Sequence, residues 1–314
     1  MNTFQKTALT TIAATLLLIA VGSLVRVSGA GLGCPDWPKC WGSWFPPASA
    51  DDINRAYLAA QNLDIGDFNP TKMWTEYINR LIGVSIGFLI LATFLRSLPY
   101  RTTRPSIFWA SLVAVLLVGF QGWLGGQVVR SGLKPGMITL HMIAAVVLLA
   151  LLIYAAFQTM KARFIVSLPP IIRRRITWIA GLVFALVCIQ LLLGTQVRES
   201  IDPFIKDAGG MSRDAWLTTI GWNDHVHRSF TWPVLGLGLL QVYLVRKSAR
   251  QGALKTGSLV VFGVALCQTG FGIALAYGGL PHVFQVLHLT FANILVCAAF
   301  WTLLIVRSRD PAAA

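Results

Sequence analysis

The sequence predicts an all-α membrane protein with eight transmembrane helices, arranged as two tandem, pseudo-symmetric four-helix bundles. Three observations predict this fold. Of the 314 residues, 55% are hydrophobic and only 12% are charged, and the mean hydropathy of +0.67 lies outside the range of ordinary soluble domains. Eight apolar segments are each long enough to cross about 30 Å of hydrocarbon. Four short motifs recur in the same order in the two halves of the chain.

The eight predicted spans each contain about 20 residues. They cover residues 8–28, 77–95, 106–129, 137–158, 176–197, 225–245, 257–277 and 284–306. The first span is similar to a cleaved signal peptide, but Arg26 at its end has a counterpart in the second half, so we interpret the span as a retained helix. The predicted domains are an N-terminal bundle at 1–160, which carries a long outer loop, and a C-terminal bundle at 170–314.

Positive charge is concentrated on one side of the predicted membrane. The net charge is +14, and most Lys and Arg residues lie at the two termini and in the loops after spans 2, 4 and 6. The positive-inside rule makes this side the cytoplasm, or the matrix of an organelle. Because the basic residues are scattered over short segments, nucleic acid is not an expected partner. We therefore predict a protein of the bacterial inner membrane with both termini in the cytoplasm.

The motif pairs indicate a duplicated four-helix unit. The pairs are GSLVRVS at 22–28 with GTQVRES at 194–200, EYINRLIG at 76–83 with DHVHRSFT at 224–231, QGWLG at 121–125 with QTGFG at 268–272, and His141 with His288. The first pair is separated by 172 residues and the others by 147 or 148, so the first half carries about 25 extra residues in the loop after span 1. In the second pair, Asn79 of the first half aligns with His227.

One polar residue lies a few residues inside the outer end of each even-numbered span, and these residues are Asn79, His141, His227 and His288. They share one depth in the membrane. A lone histidine in a membrane helix is often a packing residue, but two on different helices at one depth favour axial ligation of a haem iron by His227 and His288. In the first half only His141 is a good iron ligand. A haem held there would have an open face near Asn79, as oxygen chemistry requires.

Charged residues surround both predicted sites. Glu76 lies one helical turn before Asn79, on the same side of span 2, and is a candidate for proton transfer, although a capping role is the alternative. Arg26 and Arg80 in the first half, and Arg198 and Arg228 in the second, are predicted to bind haem propionates. Their alternative interpretation is snorkelling to the membrane interface.

Cys34 and Cys40 lie in the predicted outer loop, in the stretch GCPDWPKCW. A disulfide and a metal-binding pair are the two alternatives, and the disulfide is favoured because no histidine or third cysteine lies nearby in the sequence. His225 and His282 have no counterpart in the repeat, and we expect both to be peripheral.

With these residues in view, the chain resembles the haem A synthases, eight-span enzymes of cytochrome oxidase assembly. The resemblance rests on LVRVSGAGLGCPDWPKCWGSWFPP at 24–47, WTEYINRLIG at 74–83, LGGQVVRSGL at 124–133, TLH at 139–141, GTQVRES at 194–200, HRS at 227–229 and VLH at 286–288. It implies oxidation of a methyl group of haem O to a formyl group, through successive O2-dependent hydroxylations and loss of water.

The resemblance also implies the roles of individual residues. It assigns a b-type haem to His227 and His288, and the substrate haem to a site with His141 and Glu76. Cys34 and Cys40 match the outer cysteine pair of the family. Two departures accompany the match: Asn79 stands where the family pattern E-x-x-H-R has histidine, and the loop after span 5 has no cysteine pair.

The expected partners are haem O, the haem O synthase that supplies it, and a membrane electron donor of the quinol or ferredoxin type. A homo-oligomer is left open. The main rival function is a non-catalytic haem protein, either an electron carrier or a haem-handling assembly factor. A transporter is disfavoured because the polar residues gather near one surface and no helix looks clearly broken.

Overall fold

The computed structural model describes residues 1–206, 220–248 and 252–309, and this part of the chain is helical with no β-strand. The helices are α1 (Thr3–Val27), α2 (Arg55–Gln61), α3 (Pro70–Ser97), α4 (Tyr100–Thr103), α5 (Pro105–Arg130), α6 (Met137–Met160), α7 (Pro170–Lys206), α8 (Trp222–Ser229), α9 (Thr231–Ser248), α10 (Gly252–Tyr277) and α11 (His282–Arg307). Among the described residues, seven helices are long and apolar enough to cross a membrane: α1, α3, α5, α6, α7, α10 and α11. The prediction of an all-α protein with several helices long and apolar enough to span a membrane is confirmed for the described residues.

The sixth predicted span differs from the prediction of one unbroken helix over 225–245. The structure divides this segment into α8 and α9, with the break at Phe230. Pro233 gives the physical reason, since it cannot donate the backbone hydrogen bond to Ser229 and its ring crowds that carbonyl group. The expectation that no helix is broken was therefore wrong for this segment.

Local sequence signals explain where several helices begin. Asn2 and Gln5 form a capping box at the start of α1, in which each side chain accepts a hydrogen bond from the other residue's backbone. Pro70 and Pro105 occupy the first position of α3 and α5, where the missing N–H group costs no helical hydrogen bond. Tertiary packing then selects which faces are buried, because most helix residues are apolar on every side.

Each half of the chain forms a ring of neighbouring helices. In the first half, α1 packs on α3, α3 on α5, α5 on α6, and α6 on α1. In the second half, α7 packs on α9, α9 on α10, α10 on α11, and α11 on α7. The two rings touch where α11 meets α1 and α6. Of the seven long helices, α6 and α11 are the most buried, and these helices carry His141 and His288.

The segment between α1 and α3 folds over the end of α1 and the start of α3. We call this side of the molecule the loop end. Cys34, Cys40 and Trp41 are buried there with Met73 and Tyr77 of α3. Backbone of α3 lies so close to Gly33 that a Cβ atom at this position would come within 2.3 Å of the Lys72 carbonyl oxygen. The loop is therefore packed directly against the start of α3. Asn79 and the three predicted ligand histidines all lie near this end of their helices.

Candidate functional site

The imidazole rings of His227 on α8 and His288 on α11 lie beside each other near the loop end. Their centroids are 6.2 Å apart and their planes are inclined at 78°. Both side chains are partly buried, and the Nδ1 atom of each ring is buried without a hydrogen-bond partner. Each imidazole thus keeps a ring nitrogen that no protein group engages, although an unpaired buried polar atom is costly. The structure brings these two predicted ligands together.

A glutamine side chain on a neighbouring helix holds the backbone of each histidine. Gln190 Nε2 on α7 donates to the carbonyl oxygen of His227 at 2.9 Å, and Gln268 Nε2 on α10 donates to that of His288 at 2.8 Å. Gln121 Nε2 on α5 donates in the same way to His141 at 3.1 Å. The same side-chain-to-backbone bond therefore occurs at all three histidines.

A glycine four residues after each glutamine lies against the imidazole ring. A Cβ atom built on Gly194 would stand 3.1 Å from Cε1 of His227, and one on Gly272 would stand 3.4 Å from Cε1 of His288. The corresponding distance from Gly125 to Cε1 of His141 is 3.6 Å. The three histidines thus share one arrangement, in which a Gln-x-x-x-Gly pair on the next helix contacts both backbone and ring.

The fourth copy of this arrangement is incomplete. Gly22 on α1 lies against Asn79, with 3.9 Å between a built Cβ atom and Asn79 Oδ1. Four residues before this glycine the chain has Leu18 instead of glutamine. Asn79 Oδ1 is itself buried without a hydrogen-bond partner. The first half therefore offers one imidazole, from His141, where the second half offers two.

Glu76 and Arg80 join α3 to the loop above it. Glu76 is 4% exposed, and its Oε2 atom accepts a hydrogen bond from the backbone N–H of Cys34 at 2.8 Å. Its Oε1 atom accepts from Nε of Arg80 at 3.1 Å and also from Nη2. The same guanidinium donates to the carbonyl oxygens of Cys34, Asp36 and Lys39. The guanidinium N–H groups of Arg80 thus bind the Glu76 carboxylate and the loop carbonyl groups, so Arg80 holds the loop in place.

Cys34 and Cys40 form the disulfide that the sequence predicts. Within the closed loop, Trp37 packs over α5 so tightly that a Cβ atom on Gly126 would lie 2.8 Å from its ring. Gly126 follows the glycine that contacts His141, so the loop reaches the neighbourhood of the first site. Beside the loop, burial and the nearby carboxylate of Asp36 raise the pKa of Tyr57 to about 12.

The four arginines that the sequence assigns to propionates form ion pairs within the protein. Arg26 on α1 and Arg198 on α7 both pair with Asp202, at 2.5 Å and 3.5 Å. Arg228 pairs with Asp224 one helical turn before it, at 2.8 Å, as Arg80 pairs with Glu76 in the first half. Arg26 and Arg198 occupy equivalent positions of the repeat, and here they share one carboxylate.

Comparison with known proteins decides the family. Residues 5–300 match the cytochrome oxidase assembly protein family. The chain belongs to this family. It is similar to proteins named heme A synthase in Sphingopyxis alaskensis (26% identical over 313 residues, 90% of this chain and 85% of the relative) and Methylorubrum extorquens strain PA1 (25% over 315 residues, 90% and 81%). It is also similar to the heme A synthase of Shewanella oneidensis, at 34% identity over 157 residues, or 50% of this chain and 46% of the relative. The family resemblance seen in the sequence is confirmed.

Two features of the candidate site are missed by sequence reasoning. Gln190 has no identical partner in the first half, so a search for matching motifs passes over it. Glu199 on α7 is buried and accepts a hydrogen bond at 2.5 Å from Oγ1 of Thr139 on α6. Thr139 lies two residues before His141 in the sequence. The repeat counterpart of Glu199 is Val27, so neither the repeat nor spacing could reveal this contact between the halves.

Proposed function

We propose that this protein is a haem A synthase, which converts a methyl group of haem O into the formyl group of haem A. The observation that carries the proposal is the asymmetry between two equivalent sites. His227 and His288 lie beside each other in the second half, whereas the first half has His141 and Asn79 at the matching positions. Membership of the cytochrome oxidase assembly protein family and similarity to proteins named heme A synthase support the same function.

The architecture behind this proposal is a pair of four-helix bundles in tandem. Two rings of packed helices support this architecture, one formed by α1, α3, α5 and α6 and the other by α7 to α11. In this architecture α8 and α9 together serve as the sixth of eight spans. The equivalent glutamine–histidine bonds in both rings also support a duplication. We propose that the domains are 1–160, with the substrate site, and 170–314, with the resident haem. Residues 207–219, 249–251 and 310–314 of the second domain lie outside the described part of the chain.

The second half fits a b-type haem held by two imidazoles. Two metal–nitrogen bonds of about 2.0 Å each, plus the radius of each ring, separate opposed imidazole centroids by about 6 Å. The observed spacing of 6.2 Å agrees with that requirement. His227 and His288 would hold the iron, and a haem held by two imidazoles would supply electron transfer. Arg198 and Arg228 lie beside this site as the propionate partners we propose.

The first half suits the substrate haem. His141 would hold the iron from one side, and Asn79, an amide, would leave the other side open for oxygen. Each hydroxylation of the methyl group consumes one O2, two electrons and two protons and releases one water; after the second, loss of water from the geminal diol leaves the formyl group. A quinol or ferredoxin-type donor in the membrane would supply the electrons, and a haem O synthase would supply the substrate.

Glu76 is the group we assign to proton transfer in the first site. It is a buried carboxylate one helical turn from Asn79, and it is linked through Cys34 to the loop that covers this end of the bundle. Arg26 and Arg80 are the proposed propionate partners here, and both would have to share their donors with Asp202 or the loop. Both sites would lie near the outer face of a bacterial inner membrane, with the termini in the cytoplasm.

The test is to identify the haems that co-purify with the protein when it is expressed beside a haem O source. Haem A, or its hydroxylated precursor, is the expected result and requires oxygen and a reductant in the cells. A matched culture with His141→Ala should yield haem B without haem A. If the unmodified protein carries haem B alone under these conditions, it is a non-catalytic haem carrier and the proposal is wrong.

A further inference from the structure

The Gln-x-x-x-Gly pairs do more than fill space between helices. A backbone carbonyl oxygen in a helix has a second lone pair beyond its helical hydrogen bond. The glutamine donates to this lone pair at the carbonyl of the histidine itself, at 2.8 to 3.1 Å in all three cases. Such a bond fixes the height and rotation of the histidine-bearing helix relative to its neighbour. Sliding of the histidine Cα atom along the bundle would therefore break this hydrogen bond.

The glycine acts on the ring instead of the backbone. Because it has no Cβ atom, the imidazole can lie against the neighbouring helix, which blocks rotation of the ring in that direction. The space between glycine and ring differs among the three sites. A Cβ atom built on Gly194 would be 3.1 Å from the ring of His227, which is closer than ordinary van der Waals contact. The corresponding distances are 3.4 Å at Gly272 and 3.6 Å at Gly125. The plane of His227 is thus the most tightly determined of the three.

We propose that each Gln-x-x-x-Gly pair is a positioning element that sets the orientation of one haem-binding imidazole. The residues are Gln190 and Gly194 for His227, Gln268 and Gly272 for His288, and Gln121 and Gly125 for His141. The proposal deepens the function proposed above and rests on it, because it assumes that these histidines bind haem. It adds positioning residues, which act through the histidines and touch no reacting atom.

At the fourth position of the repeat, beside Asn79, both the histidine and the glutamine are replaced. In the second half, Gln190 Nε2 also lies 3.3 Å from the hydroxyl of Thr231. The equivalent pair in the first half is Leu18 and Gly83, and Leu18 Cδ2 lies 4.0 Å from a Cβ atom built on Gly83. An apolar contact stands where the second half has a polar one. The α3 side of the first site therefore has neither an imidazole nor the donor that would orient one.

The experiment uses the purified full-length protein with its bound b-type haem, and the readout is the electron paramagnetic resonance of the oxidised low-spin haem. These line positions report the relative orientation of two axial imidazole planes. Gln268→Met keeps the length of the side chain but removes its donor, and it should shift or broaden the lines without reducing the haem-to-protein ratio. Gly194→Ala should do the same, and by more than Gly272→Ala.

Gly181→Ala and Gly270→Ala are the matched controls on α7 and α10, since a Cβ atom at either position meets no atom within 4 Å. Both should leave the lines unchanged. If Gly194→Ala does not fold, the line positions of Gln190→Met and Gln268→Met test the positioning role instead. Unshifted lines in these glutamine variants, with the haem still bound, would overturn the positioning role while leaving the proposed function intact. If the unmodified protein has no low-spin b-type haem, or if His288→Ala keeps one, the proposed haem pairing fails and the positioning role with it.

Discussion

The guanidinium group of Arg26 on α1 forms an ion pair with the carboxylate of Asp202 on α7, at 2.5 Å. These residues lie 176 positions apart and come from different halves of the chain. Arg198, the repeat counterpart of Arg26, pairs with the same carboxylate. One acid thus ties together two equivalent arginines at the boundary between the two predicted haem sites.

Removing this shared acid should loosen the contact between the halves. Asp202→Asn removes the negative charge that both Arg26 and Arg198 contact. Since all three side chains are about one-fifth exposed, we expect a loss of about 1 kcal/mol, or a few degrees in Tm. Thermal unfolding followed by haem absorbance measures it. Asp51→Asn, in the exposed loop, is the control, and equal Tm values for the two variants would count against a role of Asp202 in joining the halves.

The close approach of the His227 and His288 imidazoles leads to a spectroscopic prediction. His288→Ala or His227→Ala should remove the low-spin b-type spectrum of the purified protein, because each variant deletes one of the two iron ligands that we propose. His225→Ala is the matched control, since His225 is an exposed histidine two residues from His227. It should keep the full spectrum. A low-spin spectrum that survives in His288→Ala would show that another residue binds the iron.

Sequence reasoning found the parts of the site that repeat as identical residues. His141, His288 and the glutamines at 121 and 268 recur at constant spacing, and Cys34 and Cys40 lie close enough in the chain to suggest their disulfide. Ion pairs between distant segments could not be found in this way. The pairing of Asp202 with Arg26 is one example, because nothing in the local sequence around either residue points to the other.

The broken sixth span was missed for a different physical reason. Hydropathy adds up side-chain transfer energies, and the segment around Pro233 is apolar enough to pass as one helix. The break depends instead on a backbone hydrogen bond that Pro233 cannot make. Likewise, the ion pair between Glu76 and Arg80 follows from their spacing of four residues, but the loop carbonyl groups that Arg80 also binds become visible only in three dimensions.

Glu76 can be tested for its assigned role in proton transfer. Glu76→Gln keeps an oxygen that can accept from the Cys34 N–H group, but it cannot carry a proton as a carboxyl group does. We expect formation of haem A to fall about 100-fold, with the b-type spectrum unchanged, as measured by the ratio of haem A to haem B after extraction. A free-thiol count on the same sample shows whether the Cys34–Cys40 disulfide is intact.

The equivalent acid of the second half provides the control for Glu76. Asp224→Asn breaks the matching pair with Arg228, and we expect it to alter the b-type spectrum more than the ratio of haem A to haem B. A normal haem A ratio in Glu76→Gln would mean that the carboxylate only anchors the loop.

Asn79 offers the most direct test of the asymmetry between the two sites. Asn79→His places an imidazole opposite His141 and should fill the face of the substrate haem that we propose to be open, because the second half shows that this backbone arrangement can present two imidazoles 6.2 Å apart. We expect a second low-spin haem component and loss of haem A formation. Adding Leu18→Gln should sharpen this component, since it restores the donor that orients His227 in the other half. Asn79→Ala is the control and should keep an open face and measurable activity; if Asn79→His instead forms haem A at the normal rate, an open face at this position is not what the reaction requires.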